Sequence, residues 1–376
     1  MPDGRPEPRP SRQGGGGTVR IGLVGCGEVC EHKHLPALRS VRGAVVVALA
    51  DVDAARCERV GVRYGIPTRF PDAKSLCRAG AVDVVGVLTP PGTHLPIVRL
   101  ALETGHHVLV EKPLALSMDD ADALVEAANS HARMTMTNFH MRWHRLIERG
   151  RGHITTGALG DLESVRSTWC SPRGDGATSP WKLGRATGGG ALVELGVHLF
   201  DLWRFVLRTE IAEVFAETRD GRRDDESAVV SARLTNGMLA SAVISERSAH
   251  EIELEIRGDQ QRLRLSCQRF DGFEALATRE TSGMLGPRLR GLARTARELP
   301  LGVARMRRLG DYGLSYAGAW QHLVDSIRSG TPPQCSFEDG RSALRVVLAA
   351  AASASSGERV RVSDAPRALA AVVRDS

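Results

Sequence analysis

One lysine of this 376-residue chain has the position and rarity expected of a proton-transferring group. Lys112 follows Glu111 at the end of an apolar run typical of a buried strand, and the chain has only four lysines against 46 arginines. Arginine cannot release its proton near neutral pH, whereas a desolvated lysine can be tuned to do so. Lys112 is therefore a candidate catalytic residue; the alternative is a surface lysine at a strand end.

A histidine further along the chain has the setting of a second such group. Gly188-Gly189-Gly190 precede a predicted helix over about 190–207, in which Glu194, His198 and Asp201 fall at i, i+4 and i+7 on one face. A carboxylate one turn from a histidine orients the imidazole and stabilises its protonated form. Glu194 and His198 are therefore candidate catalytic residues; the alternative is a buried structural histidine.

A glycine-rich turn near the N-terminus has the spacing of a dinucleotide site. Gly25-Cys26-Gly27-Glu28-Val29-Cys30 follows the first predicted strand, so the first glycine would make the turn and the second would admit a pyrophosphate. Asp51 ends the second strand, where a carboxylate accepts hydrogen bonds from ribose hydroxyls; it could instead cap the next helix. No cation for a 2′-phosphate follows at Val52 or Asp53, which favours NAD over NADP.

The elements that position these residues alternate regularly in the first part of the chain. The predicted strands are 19–24, 45–50, 83–88, 107–111 and 133–138. The predicted helices are 28–40, 53–64, 93–104 and 117–131. This alternation predicts an α/β fold with a Rossmann doubly wound parallel sheet, whose ligands bind beyond the carboxyl ends of the strands. Lys112 and the glycine-rich turn would then lie at the same edge.

After about residue 145 the pattern changes to successive strands joined by turns. The predicted strands are 161–170, 211–217, 227–234, 237–245, 251–257 and 261–267. Asn236-Gly237 and Gly258-Asp259 are hairpin signals. This part is predicted to form a C-terminal α/β domain with a large, mostly antiparallel open sheet, completed by helices at about 314–329 and 338–355.

The domain boundaries follow from these patterns. We expect a flexible tail (1–18), an NAD-binding Rossmann domain (19–140), a C-terminal substrate and oligomerisation domain (141–361) and a C-terminal tail (362–376). Residues 268–312 form an arginine-rich insertion. It is interpreted as a solvated helical segment or a subunit contact; the alternative is a lid or a phosphate-contacting element for a sugar phosphate or sugar nucleotide.

Composition excludes several classes of protein. A chain with 42% apolar and 25% charged residues is an ordinary globular one, and 4% aromatics give no stacking platform for nucleic acid. The net charge of +6 is spread along an arginine-biased chain. There is no membrane-length apolar run, no signal-peptide core and no C-x-x-C pair among seven cysteines. We expect a cytoplasmic protein without nucleic-acid or membrane partners and without a metal site.

Taken in order, the motifs resemble the Gfo/Idh/MocA family (glucose–fructose oxidoreductase, inositol dehydrogenase and rhizopine-catabolism proteins). They are Gly25-Cys26-Gly27, Thr89-Pro90-Pro91 with His94, Glu111-Lys112-Pro113, and the helix with Glu194, His198 and Asp201. The resemblance spans about residues 19–361. It implies an NAD-dependent oxidoreductase that transfers hydride to or from a secondary alcohol or ketone of a sugar, amino sugar, cyclitol or sugar nucleotide. It further implies a homo-oligomer assembled through the C-terminal sheet, and the arginine- and alanine-rich composition suggests bacterial secondary metabolism.

The resemblance also implies roles for individual residues. Lys112 and His198 match the family's catalytic pair, and Glu194 stands where the family often has an aspartate. The cofactor-binding residues would be Gly25, Gly27, Glu28, Val29, Asp51, Thr89, Pro90, His94, Glu111 and Lys112. The substrate-binding residues would be Arg142, Trp181, Lys182 and His198.

Two other functions remain open at this point. One is an NAD-dependent glycosidase, which oxidises its substrate transiently and shows no net redox change. The other is a cofactor-binding regulator without turnover. The presence of both Lys112 and His198 argues against the regulator, because a binding protein needs no titratable pair.

Overall fold

The first domain of the chain is built on a six-stranded parallel sheet. The computed structural model describes residues 17–172 and 179–369, so the predicted N-terminal tail lies almost wholly outside the described residues. The strands are β1 (Val19–Val24), β2 (Ala44–Ala50), β3 (Thr68–Phe70), β4 (Val84–Val87), β5 (His107–Val110) and β6 (Thr135–Thr137). Their order is β3-β2-β1-β4-β5-β6. The order reverses beside β1, which confirms the predicted Rossmann sheet and opens a ligand-binding crevice there.

Helices cover both faces of this sheet. They are α1 (Leu35–Leu38), which continues a π-helical turn (Cys30–His34), α2 (Ala54–Tyr64), α3 (Ala73–Ala79), α4 (His94–Glu103) and α5 (Met118–Ser130). β3 and α3 have no counterpart among the predicted elements. A three-residue strand is too short to show an alternation of apolar and polar residues.

The second domain is built on an eight-stranded sheet. The strands are β7 (Leu162–Cys170), β8 (Ile211–Arg219), β9 (Ser227–Leu234), β10 (Leu239–Ser245), β11 (Glu251–Gly258), β12 (Gln261–Ser266), β13 (Phe273–Ala277) and β14 (Val360–Arg361). Their order is β13-β12-β11-β7-β10-β9-β8-β14. Only β7 and β10 pair in parallel among the described neighbours, so the mostly antiparallel prediction is confirmed.

One face of the second sheet packs on helices and the other is open. The helices of this part are α6 (Arg145–Thr155), α7 (Val197–Leu207), α8 (Leu285–Met306), α9 (Gly310–Ser329) and α10 (Phe337–Ser356), and a π-helical turn (Leu192–Gly196) leads into α7. Alternate residues of β9 are buried (Ala228, Val230) and exposed (Val229). No helix among the described residues is both long and apolar enough to cross a bilayer.

The end of the chain returns to the first domain. Phe337, Leu344 and Leu348 of α10 complete the apolar core beneath the parallel sheet. The backbone N–H of Met118 donates to the carbonyl of Arg367 (2.6 Å), and the Arg367 side chain pairs with acidic residues of α5. The predicted C-terminal tail therefore packs against α5 as far as residue 369, where the positive charge of Arg367 is paired with carboxylates of that helix.

Buried histidines make the fold sensitive to acid, and His107 and His144 are two of them. Burial lowers the pKa of His107 and of His144 to about 4, whereas a histidine in an unfolded chain titrates near 6.5. Between these values the unfolded chain binds more protons than the folded one. We expect the free energy of unfolding to fall as the pH falls from about 6.5 to about 4, by about 3 kcal/mol per histidine. Urea titrations across this range measure the loss.

His144→Asn is the matched variant for this prediction. The His144 Nδ1 accepts the backbone N–H of Leu146 (3.3 Å) at the start of α6. Asparagine also caps helices well but does not titrate here. The variant should lose less stability in acid than the wild type, and an unchanged pH dependence would contradict the assignment.

Candidate active site

A cavity of about 1820 Å³ is lined by residues from both domains. All four lysines of the chain line it: Lys33, Lys74, Lys112 and Lys182. Of the 46 arginines, those that the structure places on its wall are Arg56, Arg269 and Arg305. In a chain that uses arginine almost everywhere, lysine has been kept at the cavity. The rarity that singles out Lys112 in the sequence therefore marks the whole site.

The glycine-rich turn forms one end of this cavity. Gly25 has a φ of +95°, and a Cβ there would lie 2.9 Å from the carbonyl group of Leu88, so only glycine fits the turn. A Cβ on Gly27 would meet no atom within 4 Å, so this position opens onto free space. Glu28 and Val29 follow on the cavity wall. The turn thus leaves room for a pyrophosphate beside a helix start, as a dinucleotide requires.

Asp51 closes the same end of the cavity. Its carboxylate accepts the backbone N–H groups of Cys26 (2.7 Å) and Asp53 (2.8 Å), which ties the end of β2 to the glycine-rich turn. The cap of α2 is Asp53, which accepts the N–H of Arg56. The alternative role of Asp51 as the helix cap is therefore wrong. Asp51 also lines the cavity.

Glu111 is held ionised beneath Lys112 by a chain of hydrogen bonds. The indole N–H of Trp320 donates to His34 Nδ1 (2.9 Å), and His34 Nε2 lies 2.8 Å from Glu111. Since an indole only donates, Nδ1 must be the acceptor and Nε2 must donate to the carboxylate. Burial opposes ionisation of Glu111, but the bonds from His34 and Asn138 and the charge of Lys112 outweigh it and lower its pKa to about 2.

Lys112 reaches from β5 towards the helix of the second domain. Its Nζ donates to the backbone carbonyl of Glu194 (2.9 Å). The Glu194 side chain lines the cavity, with a carboxylate oxygen 4.0 Å from Lys182 Nζ. Two lysines and one glutamate therefore meet where the two domains face each other.

His198 stands on the cavity wall in its neutral form. Burial lowers its pKa well below the usual value, and the charges of Lys112 and His140 lower it further. The imidazole stacks on Trp169 (ring centroids 4.8 Å apart). Its Nδ1 is buried without a hydrogen-bond partner, so the other ring nitrogen is the one available to a substrate. A neutral imidazole can accept a proton there.

The predicted orientation of His198 by Glu194 is not what the structure shows. No carboxylate bonds to Nδ1 of His198. The reason is local: residues Leu192–Gly196 wind as a π-helical turn, which breaks the i, i+4 alignment of a regular helix. Glu194 instead meets the two lysines.

Arg142 does not reach the cavity, which corrects its predicted contact with the substrate. Its buried guanidinium pairs with Asp201 of α7 (2.9 Å) and with Asp339 (3.0 Å). A buried arginine needs such partners to remain charged. Arg142 therefore anchors the helix that carries His198.

His94 is also set back from the cavity. It is fully buried and its ring nitrogens contact the carbonyl oxygens of Thr89 (2.9 Å) and Leu114 (3.1 Å). It supports the strip of Thr89 and Pro90, which does line the cavity, from behind. The other predicted site residues all lie on the cavity wall. They are Gly25, Gly27, Glu28, Val29, Asp51, Thr89, Pro90, Glu111, Lys112, Trp181, Lys182, Glu194 and His198.

Several cavity residues were not among those predicted. The Lys33 ammonium lies over the ring of Tyr312 (5.3 Å), and Tyr316 and Trp169 complete an aromatic wall. A compositional signal exists for two of them, because the chain has only three tyrosines and Tyr312 and Tyr316 both line the cavity. The described residues contain no cluster of three or more side chains suited to a metal ion.

The fold and the site together define a class of protein. A Rossmann sheet carries a dinucleotide turn and a lysine, and a second, open sheet is joined to a helix that presents a histidine across the cavity. This is the arrangement of a two-domain, nicotinamide-dependent oxidoreductase.

Comparison with known proteins identifies the family. Residues 19–139 match the model of the oxidoreductase family with an NAD-binding Rossmann fold (GFO_IDH_MocA), and residues 147–264 match the GFO/IDH/MocA C-terminal domain. The chain belongs to the Gfo/Idh/MocA family of NAD-binding oxidoreductases, as its motifs predicted.

The chain is similar to several named enzymes over most of its length. It is 27% identical over 353 residues to myo-inositol 2-dehydrogenase of Thermotoga maritima, covering 92% of this chain and 99% of that one. It is 27% identical to D-apiose dehydrogenase of Paraburkholderia graminis (90% and 88% covered). It is 28% identical to a dTDP-3,4-didehydro-2,6-dideoxy-alpha-D-glucose 3-reductase of Streptomyces antibioticus (66% and 75% covered).

Solved structures share the fold. An oxidoreductase domain protein from Kribbella flavida superposes with a TM-score of 0.78 at 24% identity, covering 92% of this chain and 99% of that one. Levoglucosan dehydrogenase, in complex with NADH and L-sorbose, has a TM-score of 0.77 at 19% identity (92% and 99% covered).

Proposed function

We propose that the chain is an NAD-dependent dehydrogenase or reductase for a secondary alcohol or ketone of a sugar, amino sugar or cyclitol. The observation that carries the proposal is the meeting of Lys112 and neutral His198 in a cavity that begins at the dinucleotide turn. The named activities of its relatives, on inositol, apiose and a dTDP-linked sugar, support the substrate class.

The described residues fit a nicotinamide dinucleotide. Gly25 and Gly27 leave space for the pyrophosphate, and Asp51 would hold the adenosine ribose. Thr89, Pro90 and Glu111 would line the nicotinamide ribose. The bound cofactor supplies the hydride acceptor or donor of the reaction.

The chain itself handles the proton. A substrate hydroxyl placed between Lys112 and His198 would lose its proton to this pair during oxidation, and the oxygen would regain it during reduction. Neutral His198 can accept the proton, while the Lys112 ammonium would hold the developing negative charge on the oxygen. Glu194 and Lys182 would bind a neighbouring hydroxyl and so select the carbon that reacts.

The remaining walls suit a polyhydroxylated ring. Trp169, Tyr312 and Tyr316 form an aromatic part of the wall, and Trp181 lies beside Lys182. Such a mixture of aromatic surface and a few placed polar groups is typical of small-molecule sites. His250 and Asp311 extend the polar lining beyond the reacting pair.

The proposal includes the setting in which the enzyme works. Val229, Leu239 and Val243 are about half exposed on the open face of the second sheet, which supports a homo-oligomer formed through that face. All seven cysteines are unpaired, which supports a reducing, cytoplasmic environment. A role in bacterial secondary metabolism rests on composition and on the dTDP-sugar reductase relative.

The direct test is an assay of nicotinamide absorbance with a panel of sugars, amino sugars, cyclitols and nucleotide sugars, in both directions. We expect one substrate class to give stoichiometric NADH and ketone. Release of free sugar without net NADH would identify a glycosidase. Tight NAD binding without turnover on any member would identify a regulator.

Asp51→Asn tests the cofactor assignment. The amide keeps an acceptor oxygen but removes the charge that would repel a 2′-phosphate, so the preference for NADH over NADPH should narrow by about tenfold or more. Fluorescence titrations with both cofactors measure the two Kd values. The control is Asp53→Asn, which caps α2 but does not line the cavity. Equal ratios of the Kd for NADPH to the Kd for NADH in the two variants would contradict the role of Asp51.

A further inference from the structure

Helix α8 packs on the protein through small and polar residues. Gly302 lies against Phe270, where a Cβ would come within 2.7 Å of the ring. Glu298 pairs with two arginines of α6 at 3.1 Å and 2.8 Å. Thr295 donates to Asp271. The inner face of α8 therefore contributes almost no apolar burial.

A different face of α8 carries an apolar stripe that is open to solvent. We call it the leucine stripe; its members are Leu285, Leu289, Leu292, Ala296, Leu299, Val303 and Met306. Leu285 is 72% exposed, Leu292 68% and Met306 63%. Scattered exposed leucines need no explanation, but a continuous row along a 22-residue helix does.

The spacing of the leucine stripe indicates what covers it. Its members recur at alternating intervals of four and three residues, which is the seam of two paired helices. A helix that lies in a membrane surface has a wider apolar face than a two-position seam. The partner is therefore expected to be another helix.

The leucine stripe matches itself when a second copy of α8 runs in the opposite direction. In an antiparallel pair with its twofold axis near Ala296, Leu285 faces Met306, Leu289 faces Val303 and Leu292 faces Leu299. A closed twofold contact uses the same patch on both copies and needs this symmetry. We propose that α8 pairs antiparallel with α8 of a second copy of this chain.

Charge and size agree with this pairing. At about 100° per residue, Arg290, Arg294 and Arg297 lie more than about 90° from the stripe, so they do not face their copies. Arg288 flanks the stripe, but in the antiparallel pair it lies near the Gly302 end of the copy and not near its own copy. The small Ala293 and Ala304 flank one side of the seam. A pair of helices about 33 Å long would bury roughly 500 Å² on each, about 1,000 Å² in total, which is the minimum expected of a biological interface.

The contact would lie beside the active site. Gly302, Arg305 and Met306 line the cavity as well as belonging to α8. Pairing would hold this wall in place. The pairing of α8 would be a second interface, in addition to the one proposed through the open face of the second sheet.

Cysteine cross-linking tests the pairing on the full chain. All seven native cysteines are buried, so a new surface cysteine reports on its own position. Ala296→Cys should form a disulfide-linked dimer of twice the chain mass under oxidant, because Ala296 meets its own copy. Leu301→Cys is the control, because the native leucine is 60% exposed but lies about 140° around the helix from Ala296. It should not form the disulfide-linked dimer. Equal cross-linking of the two variants, or none, would overturn the proposal.

A second variant separates pairing from folding. Leu292→Glu places a charge in an exposed stripe position, so the fold and NAD binding should be retained. The mass of its oligomer, measured by light scattering, should correspond to half as many chains as the wild-type oligomer contains. An unchanged mass would overturn the proposal. It would also be overturned if Ala296→Cys did not cross-link and the wild type bound phosphatidylglycerol vesicles that Leu292→Glu did not bind.

Discussion

Replacing Lys112 by methionine is expected to lower kcat by about a thousandfold, which is within the usual contribution of a side chain that stabilises the charge developing in the transition state. Methionine fills a similar volume but removes the ammonium that donates to the Glu194 carbonyl (2.9 Å) and that would hold the substrate oxygen. The Kd for NADH should change little, because the glycine-rich turn and Asp51 are untouched. Steady-state kinetics with a fluorescence titration measure both quantities.

Two further variants make this prediction specific. Lys112→Arg keeps a positive charge, but its larger, planar guanidinium replaces the compact ammonium that would lie against the substrate oxygen, so it should lose turnover by at least about a hundredfold. Lys74→Met removes another cavity lysine at the dinucleotide end, beside Asp72 and Ala73. At saturating NAD it should keep its kcat. Near-normal turnover of Lys112→Arg would contradict the need for a compact ammonium at residue 112.

Replacing His198 by asparagine should lower kcat by about a hundredfold to a thousandfold. Asparagine retains polarity but offers no basic nitrogen of comparable strength, and it loses the stacking on Trp169. Because burial keeps the pKa of His198 well below its usual value, the wild type should not lose activity through protonation of His198 between pH 7.5 and pH 6. Rate profiles against pH measure this.

His131→Asn is the matched control for His198. His131 follows α5, where its Nδ1 contacts the Ala127 carbonyl (2.8 Å), and it does not line the cavity. It should retain wild-type kinetics. A His198→Asn enzyme as active as His131→Asn would remove His198 from the chemistry and leave Lys112 to act alone.

The architecture was predictable because its signals are local. The inner strands of the Rossmann sheet are continuous apolar runs, and the hairpin signals at Asn236-Gly237 and Gly258-Asp259 indicate the antiparallel sheet. β3 and β14 could not be predicted, since a strand of two or three residues exists only through its neighbours. Nor does a local pattern show that α10 completes the core of the first domain.

The site was predictable where a motif and its position on the sheet coincide. Gly25, Asp51 and Lys112 each follow a parallel strand, so a single topological rule brings them together. Arg142 and Glu194 show the limit of such reasoning. The partner of Arg142 is 59 residues away, and a π-helical turn displaces Glu194 from the regular helix on which its predicted role depended.

In the proposed reaction, hydride passes between the nicotinamide and a substrate carbon held beside Lys112 and His198. The most direct measurement is reduction of the active ketone with NADH in which both hydrogens at nicotinamide C4 are replaced by deuterium, followed by mass spectrometry of the product. We expect the wild type to place one deuterium atom at the carbinol carbon, and Lys112→Met to transfer it far more slowly. An alcohol product without deuterium, or undiminished transfer by Lys112→Met, would contradict it.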